Sequence, residues 1–218
     1  MSKAYTKIPE TTFKNIQLNA GILLDAFTPS TATMGNIIGA TSGGVNFTAT
    51  PSYTDFGEDI DNAPRNTKEL KQLDDWEILC SGSFITVDVN SGKMLIGPAD
   101  IDAVDETKIV PRRTLEDSDF NDLWWVGDYS DKNTGESAGF IAIHMMNALN
   151  TGGFSIQSND RGKGEFAFEF AAHYSLENQE EVPFEVYIKE GEAETGTETP
   201  PPAETPGETT NTETTTTP

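Results

Sequence analysis

Three residue types of a hydrolase occur in chain order: the serine of GESAG (135–139), Asp160 and His173. In the matching hydrolase fold, the serine lies on a sharp turn between a strand and a helix, and an acid orients the histidine that takes its proton. Here Ser137 follows the turn-rich segment SDKNT and precedes a predicted strand. The chain shows none of the strand–helix alternation that builds a hydrolase sheet. We therefore predict that Ser137 is a loop serine and that the protein is not an enzyme.

The other polar motifs favour neither a metal nor a cofactor. The DFG triplet at 55–57 has none of the further motifs of a kinase around it. The acids between 55 and 61 do not have the spacing of an EF-hand loop, so a solvated acidic loop is the better interpretation. His144 and His173 are the only histidines, and neither lies near a second soft ligand. We predict no metal site and no cofactor.

Two further features favour packing over chemistry. Trp124 and Trp125 are adjacent, and neighbouring residues of a strand point to opposite faces, so core or interface packing is the expected role of both indoles. Cys80, the single cysteine, lies in an apolar-rich run and is predicted to be a small buried hydrophobe. With one cysteine no intramolecular disulfide can form, so packing or assembly must stabilise the protein.

The chain is strongly acidic, with 14 lysines and arginines against 36 acids and a net charge of −22. The last 28 residues, 191–218, contain six of the acids, no cation and almost only Thr, Glu, Pro, Gly and Ala, which predicts a disordered tail. Residues 1–190 therefore carry a charge of −16 (14 − 30). That charge argues against a surface that grips nucleic acid phosphates. The N-terminal stretch MSKAYTKIPETTF lacks the apolar h-region of a secretory signal, and no apolar run approaches the roughly 20 residues of a membrane span, so we expect a soluble protein made in a cytoplasm, with no membrane insertion.

The elements that carry these residues are mostly strands. In GKGEFAFEFAAHYSL (162–176), Phe166, Phe168, Phe170 and Tyr174 alternate with Glu165, Ala167, Glu169, Ala171 and His173, which predicts a half-buried strand with aromatics in the core and acids outside. A short segment, GFSIQS, is expected to pair with it as a hairpin. Further strands are predicted within 14–27, 45–54, 123–126, 140–150 and 182–190, and in the segment that ends with Ile85, Val87 and Val89 on one side.

A polar loop and one helix complete the prediction. The segment 57–66 is too long for a tight hairpin and is expected to join two long strands. A short helix is predicted around Ser91–Ile96, stopped by Gly97 and Pro98, while 140–150 could also be a buried helix. Seven or eight strands imply a mainly β fold: an antiparallel β-sandwich or barrel with one flanking short helix, plus the disordered C-terminal tail.

The order of several segments resembles that of the major tail proteins, or tail tube proteins, of long-tailed bacteriophages with non-contractile tails. The resemblance covers roughly residues 15–190 and depends on TSGGVNFTATPSYTDFGEDIDNAPRN leading into KELKQLDDWEILCSGSFITV, and on DLWWVGDYSDKN followed by GFIAIHMMNALNTGGFSIQSNDRGKGEFAFEFAAHYSL and VPFEVYI. In that family six copies of a two-sheet domain close a ring, and rings stack into a tube through which DNA passes. The resemblance thus implies a structural virion protein, present in the host cytoplasm during assembly.

The resemblance also implies roles for particular segments. Residues 1–14 look like an N-terminal arm that contacts the next ring, 15–190 like the tail-tube domain, 57–66 like the ring-stacking loop and 91–97 like the flanking helix. The candidate stacking residues are Gly57, Glu58, Asp59, Ile60, Asp61 and Asn62. The implied partners are further copies of the chain, a tape measure protein, and tail terminator or tail-tip proteins, with DNA passing unbound.

Glu165 and Glu169, or the carboxylates of a neighbouring strand, are expected to face the lumen, where an acidic lining would repel DNA. An alternative function is an adhesive or carbohydrate-binding β-sandwich on a virion or cell surface, with Trp124 or Trp125 as the sugar platform and the tail as a stalk. A hydrolase that uses Ser137 is the less favoured third possibility.

Overall fold

The computed structural model describes residues 7–192, which form 13 strands, one α-helix and four short 3-10 helices. The strands are β1 (Gln17–Leu24), β2 (Phe27–Thr28), β3 (Thr33–Met34), β4 (Ile37–Gly39), β5 (Thr41–Asp55), β6 (Lys71–Phe84), β7 (Ala99–Ile101), β8 (Ile109–Pro111), β9 (Asn121–Tyr129), β10 (Phe140–Asn150), β11 (Ser155–Gln157), β12 (Glu165–Ala171) and β13 (Phe184–Lys189). Helix α1 spans Val89–Ile96, and the 3-10 helices span Glu10–Asn15, Lys68–Leu70, Asp117–Asp119 and Gly135–Ser137.

Nine of the 13 strands form two sheets that share β10, while β2–β3 and β7–β8 form two separate hairpins. Sheet I has the order β4-β1-β9-β10-β13, and sheet II has the order β5-β6-β12-β11, with every pairing antiparallel. β10 pairs with β9 and β13 through Phe140–Met145 and then, beyond a bulge at Asn147, with β12 through Leu149 and Asn150. The mainly β, antiparallel fold with one helix that the sequence predicts is therefore confirmed.

The two sheets are also joined through the backbone, because Ala40 alone separates β4 of sheet I from β5 of sheet II, although β4 and β5 do not pair with each other. The carbonyl of Ala40 accepts the Ile85 N–H (2.8 Å), and its own N–H donates to the Thr86 hydroxyl (2.8 Å). The chain thus passes directly from sheet I to sheet II at Ala40 and within β10, and it returns to sheet I between β6 and β9 and between β12 and β13. These connections leave the two sheets facing each other across one core.

The main core lies between the sheets and is lined by both. Its buried members are Leu23, Ile78, Cys80, Phe84, Leu95, Leu123, Met145, Ala148, Phe168 and Phe170. A second cluster lies on the outer side of sheet I, where Phe27 of the β2–β3 hairpin covers Trp124, Val126, Phe140 and Ala142. β10 is thus covered on both faces, which explains why its sequence is apolar on both sides.

Helix α1 is held by a capping box at its first residue. The Asp88 carboxylate accepts the Ser91 N–H (2.7 Å), and the Ser91 hydroxyl accepts the Asp88 N–H (2.8 Å). Leu95 then points into the main core. The predicted helix is confirmed and begins two residues earlier than expected, since Asp88 supplies the cap. No helix among residues 7–192 is long and apolar enough to cross a membrane.

Two details of the predicted strands are wrong. β6 ends at Phe84, so Ile85, Val87 and Val89 do not form one side of a strand, and Val89 is already helical, because the Asp88 cap starts α1 there. β12 ends at Ala171, and the ring of Tyr174 lies at the surface, where its hydroxyl accepts the Trp76 N–H (3.0 Å). From residue 193 onward the predicted disordered tail lies outside the described residues, as do residues 1–6 of the arm.

Candidate assembly surfaces

The outer face of sheet II is polar across all four strands. The cross-strand register places Asn46, Ser81 and Glu169 in one row, and Ser42, Ser83, Ala167 and Ser155 in another. Side chains directly opposite each other in a sheet lie on the same face. This outer face is therefore made mainly of small polar residues, alanines and carboxylates: Ser42, Asn46, Thr48, Thr50, Glu77, Leu79, Ser81, Ser83, Ser155, Gln157, Glu165, Ala167, Glu169 and Ala171.

The alternation predicted for β12 is confirmed. Phe168 and Phe170 are buried in the main core, and the ring centroids of Phe168 and Phe84 lie 4.4 Å apart. Glu169 is exposed on the outer face, while Glu165 is half-buried there and accepts a hydrogen bond from the Ser42 hydroxyl (3.3 Å). Both glutamates thus lie on the polar face of sheet II. That this face lines a lumen stays a prediction.

Sheet II has two open edges among the described residues. β5 pairs with β6 alone, and β11 pairs with β12 alone. β5 carries a bulge at Gly43 and Gly44, where φ is +78° and +89° and open space surrounds both residues. On the opposite edge, Phe154 and Ile156 are about half exposed. Unpaired strand edges with apolar side chains are surfaces onto which another chain can add.

The β5–β6 hairpin extends well past the cores. Its end is paired from Pro51 to Asp55 with Lys71 to Trp76, and most of these residues are exposed. Five residues at about 3.3 Å each make the projecting part of the hairpin roughly 17 Å long before the loop begins. The loop that joins the strands contains the predicted stacking residues, Gly57 to Asn62.

Asp55 shapes this loop. Its carboxylate accepts the N–H groups of Gly57 and Asn66 (2.9 Å each), and these bonds hold the pKa of Asp55 below its ordinary value. The DFG triplet therefore serves here as a turn. Gly57 is buried at the base of the loop, whereas Glu58, Asp59, Ile60, Asp61 and Asn62 are exposed.

Apolar side chains surround the acidic loop. Phe56 and Ile60 are 54% and 48% exposed, and Tyr53 and Leu73 lie exposed just below them on the two strands. The sequence prediction named only Ile60 of these four. The sequence carried the signal only as a group, since several apolar residues in and beside one polar loop can form an exposed apolar patch, and such a patch is typical of an interaction surface.

The three candidate catalytic residues contact different partners. Ser137 is exposed on the 3-10 helix Gly135–Ser137, with no strand before it. His173 contacts the Asn147 carbonyl through Nδ1 (3.1 Å), and the Asp160 carboxylate lies 3.9 Å from Arg161 in an exposed turn. None of the hydrogen bonds found among residues 7–192 joins two members of the triad.

The histidines and tryptophans belong to packed surfaces. His144 stacks on Trp124 with ring centroids 4.0 Å apart and an angle of 8°, and Trp124 is 8% exposed. The Trp125 indole donates to the Ala20 carbonyl (3.0 Å) and lies over Gly21, where a Cβ atom would come within 2.6 Å of the ring. Both indoles therefore pack, on opposite faces of β9, as predicted.

Two observations concern metals and thiols. Within residues 7–192, no group of three or more His, Cys, Asp or Glu side chains is arranged to hold a metal ion. Cys80 is buried in the main core, and burial raises the pKa of its thiol to about 12. The prediction that Cys80 is a buried hydrophobe is confirmed.

No protein-family model matches the chain, and a search of curated proteins finds no match either.

Proposed function

We propose that this chain is a tail tube protein of a long-tailed, non-contractile bacteriophage, which assembles into stacked hexameric rings that conduct DNA into the host. The observation that carries the proposal is sheet II: four antiparallel strands with an open edge at each side and a polar outer face. The resemblance of the sequence to tail tube proteins supports the same function. In this function the chain catalyses no reaction and uses no cofactor.

Ring closure follows from the two edges. If the β5 edge of one copy pairs with the β11 edge of the next, every copy uses the same two surfaces and a closed ring leaves no edge of sheet II exposed. Phe154 and Ile156, which are exposed in the single chain, would be covered by the neighbour. Six copies would give a continuous barrel of roughly 24 strands, a size at which barrels enclose an open channel.

The outer face of sheet II would then line the channel. Glu77, Glu165 and Glu169 place carboxylates on this face among small hydroxyl and amide side chains. A carboxylate and a phosphate about 10 Å apart in water repel by only about 0.4 kcal/mol, before screening by salt. The repulsion of one pair is weak, but it is repeated around each ring. Lys163, which lies 3.9 Å from Glu165 and donates to the Ser42 hydroxyl, offsets part of it, so Glu77 and Glu169 would supply most of the repulsion.

The projecting hairpin supplies a contact between rings. Its loop extends beyond the body of the domain and combines exposed Phe56 and Ile60 with acids and amides. Seating these two side chains against the next ring would bury apolar surface that the single chain leaves in water. This assigns stacking to the predicted loop and adds Phe56 to it.

The remaining partners and the location follow from the same function. A tape measure protein would occupy the channel before DNA, tail terminator and tail-tip proteins would cover the two ends of the tube, and the mature protein would reside in the virion tail. The adhesive alternative needs an exposed tryptophan, and both indoles are packed. No observation on the described residues favours that alternative.

Electron microscopy of the purified full chain at high concentration tests the proposal. Rings or hollow tubes of uniform diameter are expected. Ile156→Lys places a charge at the β11 edge and should abolish rings, because an edge lysine opposes strand addition. Val104→Lys is the matched control, since Val104 is 96% exposed on the β7–β8 loop, away from both edges, and should still assemble. Tubes formed equally by both variants would refute pairing through β11, and discrete globular particles from the unaltered chain at every concentration would refute the tube.

A further inference from the structure

β13 is an edge strand of sheet I, and it carries an exposed apolar face. It pairs with β10 along its whole length, and within residues 7–192 no strand pairs with its other side. The register places Val186 beside Ile143 and Ile188 beside Ile141, on the side of sheet I that faces the main core. Sheet II does not reach this far, since Val186 and Ile188 are 46% and 63% exposed.

The N-terminal arm, residues 1–14, has a matching excess of exposed apolar side chains. Ile8 and Phe13 are 70% and 60% exposed. The root of the arm is fixed at one end of sheet I, because the Ile16 carbonyl accepts the Ser130 N–H (2.9 Å) and the Asn15 amide donates to Glu190 (3.2 Å). The arm thus begins beside the end of β13, with its described apolar side chains in water.

The charges of the two segments are complementary. The arm contains Lys3, Lys7 and Lys14 against Glu10, a charge of +2 (3 − 1) in a chain whose total is −22. The segment 177–192, which contains β13, has six glutamates against Lys189, a charge of −5 (1 − 6). The arm is thus apolar and basic, and the segment that contains β13 is apolar and acidic. This complementarity favours the arm as the partner of β13 and attracts the two segments toward each other.

We propose that the N-terminal arm of one copy docks on the β13 face of a second copy. Ile8 and Phe13 would cover Val186 and Ile188, and the arm lysines would lie beside the glutamates of 177–192. Docking on the same copy is disfavoured, because the arm would have to reverse at Asn15 and Ile16, whose hydrogen bonds hold it at the end of the sheet. The proposal rests on the tube function, and within it identifies the surface that receives the arm.

Cross-linking between full-length chains tests this docking. Phe13→Cys in one copy and Ile188→Cys in a second, differently tagged copy provide two exposed thiols, while the native Cys80 is buried. Mixed under oxidised glutathione, they should form a disulfide-linked heterodimer about tenfold faster than Phe13→Cys mixed with Val104→Cys, because docking raises the effective concentration of the two thiols toward the millimolar range. Changing Lys7 and Lys14 to Glu should remove this advantage.

Two results would overturn the proposal. Equal rates for the Ile188 and Val104 partners would show that the arm does not visit β13. A single chain that carries both Phe13→Cys and Ile188→Cys and closes an internal disulfide at high dilution would show that the arm docks on its own copy. Microscopy of the unaltered chain separates this proposal from the tube function. Tubes without a faster cross-link would reject arm docking and leave the tube standing. A faster cross-link without tubes would reject the tube and leave arm docking standing.

Discussion

Replacing Gly82 by alanine tests how sheet II is packed. Gly82 lies in β6 opposite Phe168, and a Cβ atom there would be 2.7 Å from Phe168 Cζ and 3.1 Å from the Gly44 carbonyl oxygen. Ordinary carbon contacts are about 3.5–4.0 Å, so the ring must move by about 1 Å. Phe168 is 3% exposed and packs against Phe84 and Phe170, which leaves it little room to move.

We expect Gly82→Ala to lower the free energy of unfolding by about 2–3 kcal/mol, toward the upper end of overpacking effects. With a urea dependence near 2 kcal/mol per molar, the unfolding midpoint followed by tryptophan fluorescence should fall by roughly 1 M. Ser81→Ala is the control, because Ser81 is the next residue of the same strand, faces outward, and donates no side-chain hydrogen bond that we find among residues 7–192. Its midpoint should remain within about 0.3 M of the unaltered chain.

A double-mutant cycle identifies the clash. Phe168→Leu removes the ring atoms that the new methyl group at position 82 would meet, so it should cost at least about 1 kcal/mol less in the Gly82→Ala background than in the unaltered chain. Equal midpoints for Gly82→Ala and Ser81→Ala, or strict additivity of the Gly82 and Phe168 changes, would refute the assignment of inner and outer faces in β6.

Three other perturbations give distinct readouts. Replacing both Phe56 and Ile60 by serine should leave the urea midpoint unchanged, since both side chains are exposed, but should shorten the tubes seen in micrographs. A lowered midpoint would mean that Phe56 and Ile60 pack within their own chain. Cys80 should not react with a disulfide reagent at about pH 8 in the native protein, because burial raises the pKa of its thiol to about 12. In urea the thiol should react fully. Rapid reaction of the native protein would contradict the burial of Cys80. Asp88→Ala should cost about 1 kcal/mol near neutral pH. Bonds from the Ser91 N–H and hydroxyl lower the folded pKa of Asp88, so its contribution is complete above the unfolded pKa and is lost as the pH falls through the folded pKa. Urea titrations near pH 7 and about pH 3 check this, and an equal loss at both would count against the cap.

The elements with strict periodicity were predictable from sequence, and those set by distant contacts were not. The alternation of Phe166, Phe168 and Phe170 reports directly on a sheet with one buried face, and the structure confirms it. Ile85 and Val87 follow the same alternation, but the strand stops because Asp88 and Ser91 close a helix cap just beyond. A local hydrogen bond of that kind overrides a hydrophobic pattern two residues away.

The candidate surfaces were predictable in part. Charge and periodicity placed Glu165 and Glu169 on an outward face, and the length of 57–66 placed it at a hairpin end. The exposed state of Ile156 and Ile188 was not predictable, because an apolar residue of a strand looks the same in sequence whether a neighbouring strand covers it or not. Which edges remain open depends on strand order, and strand order is set by pairings between residues far apart in the chain.

The course of β10 has a mechanical consequence. One continuous strand is hydrogen-bonded first to β9 and β13 and then to β12, so neither sheet can separate without disrupting the strand they share. A load applied at β13 is passed along a single stretch of covalent backbone to the four strands whose outer face we place against the channel. Asn147, whose φ is +50°, lies at the bulge where the strand leaves one set of partners for the other, so it marks the junction through which the two sheets are coupled.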